Sequence, residues 1–447
     1  MTSEVSARDT FRTWAKSALW PLSAGEGSGY AIDLERFGAA IGDASIVALT
    51  EGVHGAAEPL EFRNRAFRYL VEKKGFTAIA IESGAVEGRL VHDYVRGGLG
   101  DLSGVLARGI SWTMDQLPQN RELIRWLRDH NARASSGATV NFYGFDVSGN
   151  QGDVPGNRGM DTALRTALEY LDHVDPSTGG RFHSRLDSLL PTVRFDLNRS
   201  KDSVGYDTLT SAQRDSLTSG IADLVSLFER CEAQYSGLSN TTDYQWAMRA
   251  AISARQIDAW LRCVPIDWQP LGEPFTSFPN EQIGFFSVAH DVRDRAQADN
   301  LEWIIEQEGA AGKILLFAHR FHLSASPVDA NGWFSRRPGT IPQQPAGTYL
   351  SRRHGRKVIT IGNFIAAGNL HCADFRHTLP RAPQNSLDGL FSELGCSQFL
   401  LDLRQAPVST RRWLDQQHLL GQDPLRLAPG SAYDVVLFFD TVSPAAN

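Results

Sequence analysis

"SIVALTEGVHG" (Ser45–Gly55) is the stretch on which the fold turns. Ile46–Leu49 is a short apolar run with two β-branched residues. Glu51 follows it closely, His54 stands three positions further on, and a glycine comes after each. A helical pattern, "EPLEFRNRAFRYLVEKKG", begins next, with Pro59 near its start and Gly75 after its last turn. A buried strand running through a polar, glycine-bearing turn into a helix is the repeating unit of an α/β fold.

The same kind of run recurs along the chain: Thr77–Ile81 "TAIAI", Thr139–Phe145 "TVNFYGF", Lys313–Phe317 "KILLF", Lys357–Ile361 "KVITI", Gln398–Asp402 "QFLLD" and Asp434–Phe439 "DVVLFF". Near-continuous apolar runs suit strands covered on both faces. The expectation is an α/β architecture: a mainly parallel central sheet flanked by helices. Between about Gly159 and Val264, "MDTALRTALEYLDHV", "SGIADLVSLFERCEAQY" and "QWAMRAAISARQIDAWLRCV" read as long helices with no strand between them. They suggest a helical insertion forming one wall of a cleft. The organisation expected is 1–158 and 266–447 as two parts of the α/β domain, with 159–265 as the insertion.

Of the 447 residues, 42% are hydrophobic, enough for a sizeable core, and the net charge of −7 argues against nucleic acid as a partner. Cys231, Cys263, Cys372 and Cys396 are dispersed and form no CxxC pair, so they read as free thiols in a reducing compartment. The N-terminus lacks a continuous apolar segment of the signal-peptide kind, and no run is long enough for a transmembrane helix. A cytoplasmic protein, away from membranes, is the expectation, as a monomer or weak dimer.

Glu51 and His54 are not the only ionisable residues after a strand. Glu82 directly follows "TAIAI", Asp146 follows "NFYGF", and His319 and His322 follow "KILLFA". In a parallel sheet these side chains emerge along one edge, where open α/β sheets place their ligands. An ExxH turn by itself is more often a cap, a lone Glu after a strand a salt-bridge partner, and an HxxH pair can be structural. Their convergence on one edge is what points to catalysis. No G-x-S-x-G and no phosphate-binding glycine loop is present. Carboxylates and imidazoles together suit general acid–base chemistry with water as nucleophile, or a metal site.

At these residues the chain resembles the erythromycin esterase family, enzymes that hydrolyse the lactone ester of macrolide antibiotics. "ALTEGVHGAAEPLEFRNRAFRYLVEKKGFTAIAIES" matches the family's first signature, "FYGFDV" its G-F-D segment and "AHRFHLS" its A-H-N-x-H segment, with "WLRDHN" and "FLLDLR" as further matches. The resemblance implies an ester hydrolase in which His54 is the base that activates water. Glu82 and His319 complete the catalytic cluster, with Glu51 and Arg63 shaping it. Arg63 suits oxyanion stabilisation; its plainer reading is a salt bridge to Glu58 or Glu61. His322, Asp146, Arg320, Trp112, Trp333 and Phe364 are expected to bind substrate. Three positions depart from the family pattern: Thr50 for a glycine, Val53 for a small hydroxyl residue and Arg320 for an asparagine. A cation at 320 would lower the proton affinity of His319 if turned inward.

The resemblance implies no cofactor and no metal. The substrate expected is a small molecule, a large apolar natural product, so antibiotic resistance or natural-product biosynthesis is the setting. The alternative is a non-hydrolytic tailoring enzyme, a cyclase or isomerase using the same histidine and carboxylates. His290 and Asp291 read as preceding a helix, with Asp294 or Arg295 as candidates for facing the cleft.

Overall fold

In a computed structural model of the protein, residues 2–22, 32–134, 139–147, 158–190, 194–195, 205–266, 285–330, 342–372 and 375–445 are described. Nine strands form the main sheet: β1 (Trp20–Pro21), β2 (Ile46–Glu51), β3 (Ala78–Gly84), β4 (Asn141–Asp146), β5 (Ile314–His319), β6 (Val358–Cys372), β7 (Phe375–Leu379), β8 (Gln398–Asp402) and β9 (Val435–Val442). Their order is β1-β8-β9-β6-β2-β5-β3-β4, with β7 paired to β6. From β9 to β4 all neighbours are parallel; β8 and β1 add an antiparallel edge.

The alternation of a strand sends neighbouring side chains to opposite faces. Val47, Leu49, Ile79, Ile81, Leu315 and Phe317 enter one core with helices Ala57–Lys74 and Pro118–Arg133. Ile46, Ala48, Ala78, Ala80, Ile314 and Leu316 enter a second core, with Leu301 and Ile304 of helix Phe285–Glu308. Covering both faces is what makes these strands apolar throughout. Helix Ala57–Lys74 stops at Gly75, whose φ of 71° is left-handed and whose N–H closes onto the Leu70 carbonyl.

Between β4 and β5 lie helices Asp161–Val174, Pro176–Leu186, Ser211–Leu238 and Thr241–Leu261, followed by Phe285–Glu308. Leu164, Leu186, Leu217, Leu224, Phe228 and Trp260 from the first four share a third core with Phe364, Phe399 and Phe438 of the sheet. Helix Phe285–Glu308 begins earlier than expected, so His290 and Asp291 lie inside it and not at its entry. Among the described residues, no helix is long and apolar enough to cross a membrane.

β2 and β5 are neighbours in the middle of the sheet, and their last residues, Glu51 and His319, lie directly opposite each other. β3 flanks β5 and β4 flanks β3. The topology therefore brings Glu51, Glu82, Asp146 and His319 to one edge.

Candidate active site

The turn after β2 is built around its glycines. Gly52 N–H donates to Asn363 Oδ1 on β6 at 2.8 Å. A Cβ at position 52 would come within 2.9 Å of that oxygen and 3.0 Å of the Asn363 carbonyl. Gly55 has φ 83°, and its carbonyl accepts the N–H groups of His371 and Ala445. The backbone is thus pinned while Glu51, buried at the strand end, accepts His54 Nδ1–H at 2.8 Å. Gly52→Ala is expected to push the turn off Asn363 and misplace His54. A displacement of about 1 Å is enough to cost on the order of 100-fold in rate. Parallel turnover and thermal-unfolding measurements on Gly52→Ala check this: kcat should drop far more than stability.

His54 keeps 39% of its side chain exposed, whereas Glu51 keeps 3%. The protein around the ring opposes its protonation. The charge and hydrogen bond of Glu51, helped by Glu82, outweigh that and raise its pKa to about 9. Glu51, His54, Arg63, Glu82, Leu117 and Phe317 line a small pocket at this edge of the sheet. Arg63 is buried, its guanidinium hydrogen-bonded to Asn64 Oδ1 and stacked 4.8 Å from the Phe317 ring. Burial lowers its pKa to about 10, which leaves it a cation at neutral pH. The plainer reading of Arg63 is not met: Glu58 accepts the Ser443 N–H instead, and no carboxylate pairs with Arg63 among the described residues.

Behind the pocket lies a network that the sequence did not reveal. Its centre is Arg293, which donates to Glu82 Oε1 at 2.6 Å and to Asp146 at 2.7 and 2.9 Å. Gln297, one helical turn on, also donates to Asp146, and Asn300 donates to the Phe145 carbonyl. Arg293, Gln297 and Asn300 form a buried polar stripe at helical spacing, a signal present in "RDRAQADN". Of the two cleft candidates named from that segment, Asp294 is buried against His322 Nδ1 at 2.9 Å, whereas Arg295 is exposed and pairs with Asp299.

His322 stands between two carboxylates, Asp294 at Nδ1 and Glu82 at Nε2, 3.3 Å away. Burial disfavours its charge, but Asp294 and Glu82 raise its pKa to about 9. Glu82 also accepts the His319 backbone N–H at 2.8 Å. Burial works against its carboxylate, yet His322, Arg293 and His54 hold its pKa well below the usual value. His319 shows the opposite behaviour. Its ring lies 5.2 Å from that of His54, and burial, His54 and Arg320 push its pKa well below the ordinary histidine value. The site therefore holds two cationic imidazoles and one neutral one at pH 7.

Arg320 points inward, fully buried between Asp423 and Asp388. Asp146 is likewise buried and saturated, so both residues support the pocket from behind. Trp112 is half-buried, and its indole N–H donates to Asp146 Oδ2 at 3.0 Å. It and Thr113 have φ of 64° and 57°, a strained pair beside the site. Phe364, expected on the pocket wall, is fully buried between Phe391 and Tyr433, because β6 continues through it. Trp333 lies outside the described residues. Among the described residues, no group of three or more His, Cys, Asp or Glu is arranged to hold a metal ion.

The fold and the edge site define an α/β enzyme whose polar centre is a histidine–carboxylate cluster. The chain belongs to the erythromycin esterase family: the family's model matches residues 71–442. Membership makes it an ester-hydrolysing type of enzyme; Glu51, His54 and Arg63 lie upstream of the matched segment. The erythromycin esterase type II of Escherichia coli is 22% identical over 336 residues, covering 73% of this chain and 72% of that protein. A Bacillus cereus protein of known structure superposes with a TM-score of 0.74 at 22% identity over 98% of both chains. A structure titled as a succinoglycan biosynthesis protein has the same TM-score at 20% identity and equal coverage. A mutant of the erythromycin esterase EreC in its open conformation gives 0.66 at 17% identity over 91% and 93% of the two chains.

Proposed function

We propose that the protein hydrolyses a carboxylic ester of the macrolactone type, with His54 as the base that activates water. The observation that carries this is the Glu51–His54 pair at the pocket mouth, in the same lining as the buried Arg63. Nδ1 of His54 is engaged by Glu51, which leaves Nε2 to take a proton from water. The hydroxide adds to the acyl carbon, and Arg63 supports the charge that develops on the carbonyl oxygen. The imidazolium then returns the proton to the leaving alkoxide, so ester and water become acid and alcohol. The Escherichia coli relative's name makes erythromycin the first substrate to try.

Incubation with erythromycin followed by mass spectrometry tests the reading: the product should gain the mass of one water. A second reading, a non-hydrolytic tailoring reaction in biosynthesis, is favoured by the resting charge of the site. With a pKa of about 9, His54 rests as an acid. The structural neighbour titled for succinoglycan biosynthesis agrees with a biosynthetic setting. A product of unchanged mass would select that reading.

The pH profile separates the two independently. A base must be neutral, and at pH 7 only about one His54 in a hundred is. Hydrolysis should therefore accelerate with pH and level off near pH 9, where His54 loses its proton. An acid role predicts the reverse limb, a fall above pH 9. The linkage to stability has its own sign. Folded pKa values raised from 6.5 to about 9 at His54 and His322 give stabilisation that is full below pH 6.5 and lost as pH rises through 9. Thermal midpoints measured from pH 6 to pH 10 should decline across the range in which activity climbs.

A further inference from the structure

Asp423 stands apart from the strand-end cluster in sequence and beside it in space. It lies in the short connection between His418–Leu419 and Arg426–Leu427. Its Oδ2 accepts Arg320 Nε–H at 2.9 Å and lies 3.8 Å from Nε2 of His319. Both side chains, His319 and Asp423, are 9% exposed. Arg320 is held on its other side by Asp388, at 3.2 Å. Asp388 also accepts the N–H groups of Ile365 and Gly421, so it anchors strand β6 and the start of the Asp423 loop together. The residue immediately after His319 thus clamps the loop that carries Asp423 against the His319 ring.

We propose that Asp423 is a positioning residue for His319, clamped by Arg320 and facing the Nε2 edge of the ring. The proposal rests on the strand-end pocket being the site of ester hydrolysis. His319 Nδ1 lies 3.3 Å from the Phe321 backbone N–H and accepts from it. A neutral ring in that arrangement carries its proton on Nε2, the edge Asp423 faces. The Phe321 N–H sets this tautomer at Nδ1, and the Asp423 carboxylate, 3.8 Å from Nε2, adds an electrostatic preference for it. Asp423 also places a carboxylate charge beside a ring that has the cationic His54 imidazole as a neighbour, 5.2 Å between ring centres. The charged groups facing His319 from its neighbours are Glu51 and His54 at the end of β2, Glu82 at β3 and Asp423 in its loop; Arg320 and His322 share its own segment. In this set Arg320 lowers the proton affinity of His319, in line with the depressed value it shows. A cation and a buried carboxylate thus act together on one imidazole.

Imidazole nitrogen NMR on the full-length, 15N-histidine-labelled protein tests this without any substrate, the His319 resonances being assigned through His319→Gln. Wild type should show a neutral Nε2–H ring from pH 6 to pH 8. Asp423→Asn should shift it toward a mixture of tautomers and keep it neutral to lower pH. Arg320→Asn combined with Asp388→Asn removes one charge of each sign and leaves Asp423, and should move His319 protonation upward by a unit or more. That charge-balanced pair also covers the case in which Arg320→Asn alone does not fold. With erythromycin as the probe, Asp423→Asn should lower kcat by about 10–100-fold, the scale of a misplaced catalytic group, and leave KM within about twofold. His319 with an unchanged tautomer and titration in Asp423→Asn would overturn the proposal. The NMR changes without turnover of erythromycin by wild type would sustain the positioning role and count against ester hydrolysis of that substrate.

Discussion

His54→Asn should lower kcat by roughly 10²–10⁴-fold, the usual worth of a positioned proton transfer, with little change in substrate binding. Asparagine retains a donor for Glu51 but has no group that can take a proton from water. Stability should fall only by what the Glu51–imidazolium interaction contributes below pH 9, and not by a loss of core packing. The His54 side chain is 39% exposed, sits in a turn pinned by its own backbone hydrogen bonds, and lies outside the apolar cores. Glu51 keeps the charge of Arg63 nearby, which limits the cost of losing the imidazolium. A purely structural role for His54 predicts the reverse pattern: a lower thermal midpoint and near-normal turnover in the protein that stays folded. Steady-state kinetics and thermal unfolding on one preparation separate the two. Wild-type turnover from folded His54→Asn would remove His54 from the chemistry.

The pieces of this site differ in how far they could be read from sequence, for physical reasons. The strands that carry Glu51, Glu82, Asp146 and His319 were legible because each is apolar on both faces, and that follows from helices covering both sides of the sheet. The continuation of β6 beyond Ile361 was not. It runs through "GNFIAAGN", where Gly362 and Asn363 are poor strand formers. Asn363 is retained by tertiary bonds: it accepts from Gly52, takes its own N–H to the Thr50 hydroxyl, and donates to the Leu437 carbonyl. Thr50 thus has a partner on the next strand. Because the strand end at Ile361 was set too early, Phe364 was expected near the pocket and is instead core.

Arg293 was missed for another reason. In "HDVRDRAQADN" charged residues are dense, and nothing local says which of Arg293, Asp294 and Arg295 turns inward. Only the helical register, with Gln297 and Asn300 buried on the same side, distinguishes it. Asp423 offered no signal at all: its place beside His319 depends on Arg320 and Asp388, which are far apart in sequence and meet only in the folded chain.

The largest effect on stability should come from Arg293→Met. Methionine keeps much of the side-chain volume and removes the cation that bridges Glu82 and Asp146, both nearly fully buried. Removing one partner of a buried ion pair strands the other charges and typically costs about 3–5 kcal/mol. His322 still faces Glu82, and Trp112 and Gln297 still donate to Asp146, so part of the network remains. Asp146 then has no cation against it among these partners, and it should take up a proton near neutral pH to avoid bare burial. The sign of the pH dependence follows. In wild type the Glu82 pKa is depressed, so its stabilisation is present above the unfolded carboxylate value near 4.5 and lost as pH falls through the still lower folded value. A carboxylate whose folded pKa is raised loses stability as pH increases. The gap in thermal midpoint between Arg293→Met and wild type should therefore be wide at pH 8 and narrower at pH 5. Turnover should drop with it, because Glu82 holds the His319 backbone and one edge of His322. Arg293→Lys keeps one charge but not the fork that reaches two carboxylates, and should fall between the two. A thermal midpoint equal to that of wild type at both pH values would show that Glu82 and Asp146 are neutralised without Arg293, and the network would then have to be redrawn around His322.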